Sequence, residues 1–323
     1  MSGILAFQFY DWHFFFQQVV SGITVGSLYG LIALGYTMVY GVLKLLNFAH
    51  GDVYMIGAYI GLFVLTALGS PLKPIMPLVP MILLAFAASM AGCAILGVVI
   101  ERFAYRPLRN APRIAPLISA LGVSFFLQQT AVLLFGANPR SYNTFELHPG
   151  KSGVGELFHS TSVGKFSIQY IQLFVILLTV VLMVALSLFV WRTRTGKAMR
   201  AVSVDREAAS MMGIDVDKVI SITFLIGSAL AAAAGVMTGL IYQQLNPYMG
   251  FGTGLKAFTA AVIGGIGNIG GAVLGGLLIG LVETFTVAYL SSTFSDFILF
   301  SVLVIFMVFR PTGIRGTPVL AKV

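Results

Sequence analysis

The chain has 323 residues, 58% of them apolar and only 9% charged, with a formal charge of +8 and a mean hydropathy of +0.95. A soluble globule carries about a quarter charged residues, so this chain cannot clothe itself in polar surface and reads as an integral membrane protein. No basic stripe is interleaved with aromatics, which excludes a nucleic-acid groove, and the single cysteine, Cys93, excludes an internal disulfide.

The N-terminal MSGILAFQFYDWHFFFQQ lacks a basic leader and carries Asp11 and His13 among its aromatics, so it is not a cleavable signal peptide. Trp12 and Phe14, Phe15 and Phe16 suit the headgroup region. Residues 19–43 form the first long apolar run, with Gly22, Gly26 and Gly30 at four-residue spacing, a small-residue face for close helix contact. Asn47, His50 and Asp52 follow within six residues, and read either as a loop at the interface or as part of a path through the membrane. Runs at 53–68, 81–100, 114–135 and 170–191 come next, with Pro71, Pro74, Pro77 and Pro80 marking a loop between the first two of these. Residues 219–242, a glycine-rich tract at 250–283 and a last run at 294–309 complete the series. The tract is too long for one ordinary helix, and a break is expected near Gly267 and Asn268, since glycine breaks are tolerated where backbone lines protein or a cavity. The expected fold is an all-α polytopic membrane protein, one domain over 1–323, with about eight transmembrane helices and a broken or re-entrant helix in the glycine-rich region.

Lysine and arginine cluster at 102–113, 192–218 and 310–322, which are expected in the cytoplasm. The mixed loop at 137–167 then faces outward, and parity places the N-terminus outside. Ionisable groups at membrane depth cost about 2.5–3.5 kcal/mol each on insertion scales, so each needs a reason. Lys256 either snorkels to an interface or serves the path. Glu283 either pairs with a basic residue of a partner subunit or faces a polar cavity. Gly264, Gly265, Gly267 and Asn268 either pack helices or lie near the path. No third ligand joins His50 and Asp52, which argues against a metal site. Gly196 and Lys197 are followed by Ala198 where a phosphate loop needs Ser or Thr, so any ATP must be bound by another polypeptide.

The most informative stretch is RAVSVDREAASMMGIDVDKVISITFLIG, 200–227, a mixed-charge segment between two apolar runs. Ser203 is expected to cap a short helix of about two and a half turns, with Asp205 and Glu207 in its first turn. Gly213 stops that helix and Asp215 caps the next. The order Glu207-Ala208-Ala209, three residues, then Gly213 resembles the EAA---G signature of ABC importer permeases, whose loop sits in a groove of the ATPase subunit.

Together with NFAHGDVYMIGAYIG (47–61), IERFAYRPLRNAPRIAPLISALGVSFFLQ (100–128) and NPYMGFGTGLKAFTAAVIGGIGNIGGAVLGG (246–276), this stretch makes the chain resemble the LivH-type permeases of bacterial branched-chain amino acid ABC importers. The resemblance implies a lipid-embedded subunit of the bacterial inner membrane. Its implied partners are a homologous second permease, two cytoplasmic ATPases and a periplasmic amino-acid-binding protein. It also implies that Arg206, Glu207, Ala208, Ala209, Met211, Met212 and Gly213 meet the ATPase, with no cofactor in this chain. A permease for urea or short amides shares these motifs. The capped Glu207–Gly213 helix argues against an ion-coupled secondary transporter, and a channel and a membrane enzyme fit less well for want of a filter ring and of a catalytic set.

Overall fold

The computed structural model describes residues 12–72, 78–109, 111–112, 114–142, 160–163 and 166–316. Eight helices among these are long and apolar enough to cross a membrane, the architecture the apolar runs require. The helix α1 (Trp12–Leu43) is followed by α2 (His50–Leu72), α3 (Leu78–Ile100), α4 (Ile114–Phe135) and α5 (Tyr170–Arg192). Two short helices come next, α6 (Arg194–Val204) and α7 (Arg206–Met211), before α8 (Val216–Tyr242). A hairpin of α9 (Met249–Gly264) and α10 (Ile269–Tyr289) leads to α11 (Ser295–Phe309).

Helix α1 begins earlier than the apolar run, at Trp12, so the aromatic segment continues the helix. The proline loop is shorter than its four prolines suggest: α2 extends through Pro71 to Leu72, and Pro80 sits in the first turn of α3, where its missing N–H costs nothing. Pro74 and Pro77, the first eleven residues, and much of 137–167 lie outside the described residues.

The core is built on α1, α2 and α8, with α3, α9 and α10 packed around them. Water supplies no hydrophobic drive between helices inside a bilayer, so close backbone approach has to do the work. A β-carbon at Gly26 would lie 2.7 Å from the Leu277 Cα, and one at Gly276 would lie 2.5 Å from the Gly30 Cα. The four-residue glycine face of α1 is thereby matched by the glycines of α10. Ala231, Ala232, Ala233 and Ala234 are fully buried and let α8 press against α2, where Gly57 meets Ala232. Helices α5 and α11 keep most of their apolar side chains on the outside, the surface lipid covers.

The basic segments gather at one end of this bundle. Arg106 and Arg109 bind Asp217, and Arg109 also binds Glu101, which accepts from the Ser221 hydroxyl at 2.8 Å. This clamps the end of α3 to the start of α8. At the other end β1 (Arg140–Ser141) pairs antiparallel with β4 (Gln244–Leu245), tying the segment after α4 to the end of α8. A short β2–β3 hairpin (Ser160–Val163, Phe166–Gln169) precedes α5.

Candidate coupling and translocation site

The mixed-charge stretch folds as two short helices between the membrane spans on either side, and one of its caps differs from the expected one. The Ser203 hydroxyl donates to the Arg200 carbonyl at 2.7 Å, inside the last turn of α6, as serine does when it already stands in a helix. Asp205 is the cap instead: its extended backbone (φ −151°, ψ 119°) breaks the chain, and its carboxylate accepts from the Glu207 and Ala208 amides at 2.9 and 3.1 Å. Gly213, at φ +80°, ends α7 in the left-handed conformation, and Asp215 accepts from the Lys218 amide at 3.0 Å to start α8.

The knob so formed has two sides. Met211 and Met212 stand out into solvent, 88% and 83% exposed, while Ala209 is buried beneath. Arg206 points the opposite way and donates to the Val42 carbonyl at 3.2 Å and to the Leu43 carbonyl. These are among the last carbonyls of α1, which have no partner within the helix, and a cation there also complements the negative end of the dipole. Burial lowers the Arg206 pKa and the neighbouring Arg109 lowers it further, yet a guanidinium stays charged. A groove of about 600 Å³ runs beside this contact, with Lys44, Arg109, Asp205, Arg206 and Glu207 in its walls.

Asn47 lies in the connection between α1 and α2, His50 and Asp52 lie in the first turn of α2, and all three are buried, at 2%, 0% and 0% exposed. The Tyr105 hydroxyl donates to Asn47 Oδ1 at 3.0 Å, and the His50 ring packs 4.7 Å from that of Tyr36. Asp52 accepts from Ser124 and, at 3.1 Å, from the Gln128 amide. A β-carbon at Gly250 would lie 2.9 Å from the Asp52 Cα, and one at Gly51 would lie 2.9 Å from the Gly254 Cα. The first turns of α2 and α9 therefore converge on this carboxylate, and two positive helix ends offset its burial.

Lys256 and Glu283 answer each other. The lysine donates to Glu283 at 2.6 Å and lies 2.9 Å from Asp296, and the Tyr29 hydroxyl donates to Glu283 at 2.5 Å. The glutamate needs no partner subunit for its cation, because the α9–α10 hairpin brings Lys256 to it. The hairpin turns at Gly264, Gly265, Gly267 and Asn268, with Gly265 at φ +101°. Asn268 caps α10 by accepting from the Gly271 amide at 2.9 Å. Ile314 and Arg315 then close the turn from behind, donating to the Ile263 and Gly264 carbonyls at 2.8 and 3.1 Å.

Sequence reasoning passed over Ser124, Gln128, Tyr29 and Asp296. Ser124 and Gln128 did carry a signal, two polar residues at helical spacing inside an apolar run. Tyr29 and Asp296 carried none, since their partners are distant in sequence.

A cavity of about 310 Å³ lies at the end of the bundle away from the knob, bounded by α1, α2, α8, α9 and the β4 segment. Tyr29 and Tyr54 reach it; Asn47, His50, Asp52, Lys256 and Glu283 do not line it.

The branched-chain amino acid transport system / permease component family matches residues 18–307. The chain belongs to this family. It is 45% identical over 309 residues to the high-affinity branched-chain amino acid transport system permease protein BraD of Pseudomonas aeruginosa, covering 96% of this chain and 98% of that one. It is 44% identical over 310 residues to LivH of Escherichia coli, with the same coverage, and 26% identical to a probable LivH of Methanocaldococcus jannaschii over 93% and 92% of the two chains. This multi-pass membrane protein is thus a permease component of a transport system, and its relatives are permease subunits rather than enzymes.

Proposed function

We propose that this permease is half of the pore of an ATP-driven importer for leucine, isoleucine and valine in the bacterial inner membrane. It pairs there with a homologous permease, two cytoplasmic ATPases and a periplasmic binding protein that delivers the solute. Glu207, Ala208, Ala209 and Gly213 shape the knob, and Met211 and Met212, flexible and polarizable, fill the ATPase groove.

The observation that carries this reading is the two-sided knob. Its methionines face outward to a partner while Arg206 holds the final carbonyls of α1. When the ATPases close on ATP, the knob moves with them, and the rigid α1 passes that motion to the far end of the bundle. Asn47, His50, Asp52, Lys256, Glu283 and the glycine turn hold the helices that shift.

Reconstituted complexes carrying Glu207→Lys or Gly213→Val should insert and assemble but lose leucine uptake. Variants that still couple ATP hydrolysis to uptake at the wild-type rate would sink the assignment. Uptake of urea or short amides in place of leucine would move the chain to the related amide importers.

A further inference from the structure

We propose that the cavity at the end of the bundle opposite the knob is a transit site for the solute, built for a zwitterionic amino acid with an aliphatic side chain. The proposal rests on the importer reading above and adds the place where this chain touches its cargo.

Size and chemistry both point there. At about 310 Å³ the cavity falls at the small end of the range for small-molecule sites. Among the described residues no aspartate, glutamate, lysine, arginine or histidine lines it. A solute of net charge would be stripped of water with nothing to answer it. A zwitterion asks instead for groups that both donate and accept, and hydroxyls and amides do both. Thr253 from α9 supplies a hydroxyl, and Asn246 before it supplies an amide NH2, its Oδ1 already accepting from the Tyr248 amide at 2.9 Å. Thr238 from α8 supplies an acceptor oxygen, its proton going to the Ala234 carbonyl at 2.9 Å. Val25 and Leu28 from α1 and Met249 supply apolar contact for a branched side chain. Asn246 and Tyr242 are exposed, so the cavity opens to the surface.

Its position also suits release. Tyr29 lines the cavity, and its hydroxyl is committed to Glu283 at 2.5 Å, which ties the wall to the Lys256–Glu283–Asp296 cluster. From Tyr29 the helix α1 runs about 21 Å to Leu43, where Arg206 grips it. Movement of the knob along α1 therefore reaches the wall of the cavity. With no charged partner among the described lining residues, the solute is free to leave again, as a relay site requires.

The test uses the complete importer in proteoliposomes, with radiolabelled leucine uptake and binding-protein-stimulated ATP hydrolysis measured side by side. Val25→Phe fills the cavity and should cut uptake at least tenfold while hydrolysis stays within twofold of wild type. Thr253→Cys should transport until a membrane-impermeant methanethiosulfonate reagent, added on the side of the binding protein, reduces uptake at least tenfold. This chain's one native thiol, Cys93, is buried, and the complex without the Thr253→Cys change, treated in parallel, reads any thiol of the other subunits. Undiminished uptake by Val25→Phe overturns the proposal and leaves the importer reading standing. Should Val25→Phe fail to assemble, Thr253→Cys decides, and either absence of modification or modification without effect overturns the proposal. A wild-type complex that carries no leucine overturns the importer reading and this site with it.

Discussion

Lys256 and Glu283 sit in helices whose other side chains are almost all apolar, and each makes the other's ionisation tolerable. Removing one partner strands the other. Lys256→Met should therefore destabilise the protein by about 1–3 kcal/mol, less than the roughly 3–5 kcal/mol for a fully buried pair, since the two side chains keep 18% and 16% exposure. The double variant Lys256→Met with Glu283→Met should recover part of that loss, and a thermal-unfolding cycle in detergent measures it. Strict additivity of the two substitutions would mean the pair is silent. The site residues were legible from sequence to the extent that an ion in an apolar run demands an explanation. Which explanation holds was not legible, because the partner of Glu283 stands 27 positions away and meets it only through the hairpin. Ser203 and Asp205 show the same limit at short range. Both are good caps, and the choice between them depends on whether the preceding turn is already helical.

At the level of helices, the apolar runs located the spans well because run length and hydropathy are local properties. The starts of α2 and α9 were not readable, since both begin inside the bundle against each other, and only the tertiary contact at Gly51 and Gly250 makes that tolerable. The α1–α10 contact was half readable: the glycine spacing of α1 announced a close neighbour without naming it. Gly26→Val would drive a side chain into the α10 backbone, and folded yield by fluorescence size-exclusion should collapse, whereas Gly122→Ala, with nothing within 4 Å of the added carbon, should leave it unchanged. Arg206→Gln weakens the grip on the α1 carbonyls. Leucine uptake should fall at least tenfold with ATP hydrolysis retained, a split that reconstituted complexes read directly. Equal losses of both would indicate failed assembly rather than a cut linkage.

For the whole molecule, similarity over nearly its full length establishes a transport permease, and the structure adds a polarity to it. The knob, the arginine clamp and the hairpin turn share one end; the β1–β4 tie and the cavity share the other. We propose, from the lysine and arginine distribution, that the knob lies in the cytoplasm. A cysteine at Met212, which is 83% exposed, should react with an impermeant maleimide in inverted vesicles and not in right-side-out cells. The reverse pattern would turn the molecule over and end the importer reading.

The closure of the hairpin by Ile314 and Arg315 has a consequence for biosynthesis. The Asn268 side chain donates to a carbonyl 47 positions later in the chain, so the turn stays open while the intervening helix is still being translated. Its two halves pack on each other directly, at Gly264 against Gly271 and Ala260 against Gly275, but the turn gains its last hydrogen bonds only when the C-terminal segment doubles back. A nascent chain stalled between these points should be cleaved readily at the turn by added protease, and resistance should arrive only once Arg315 has emerged.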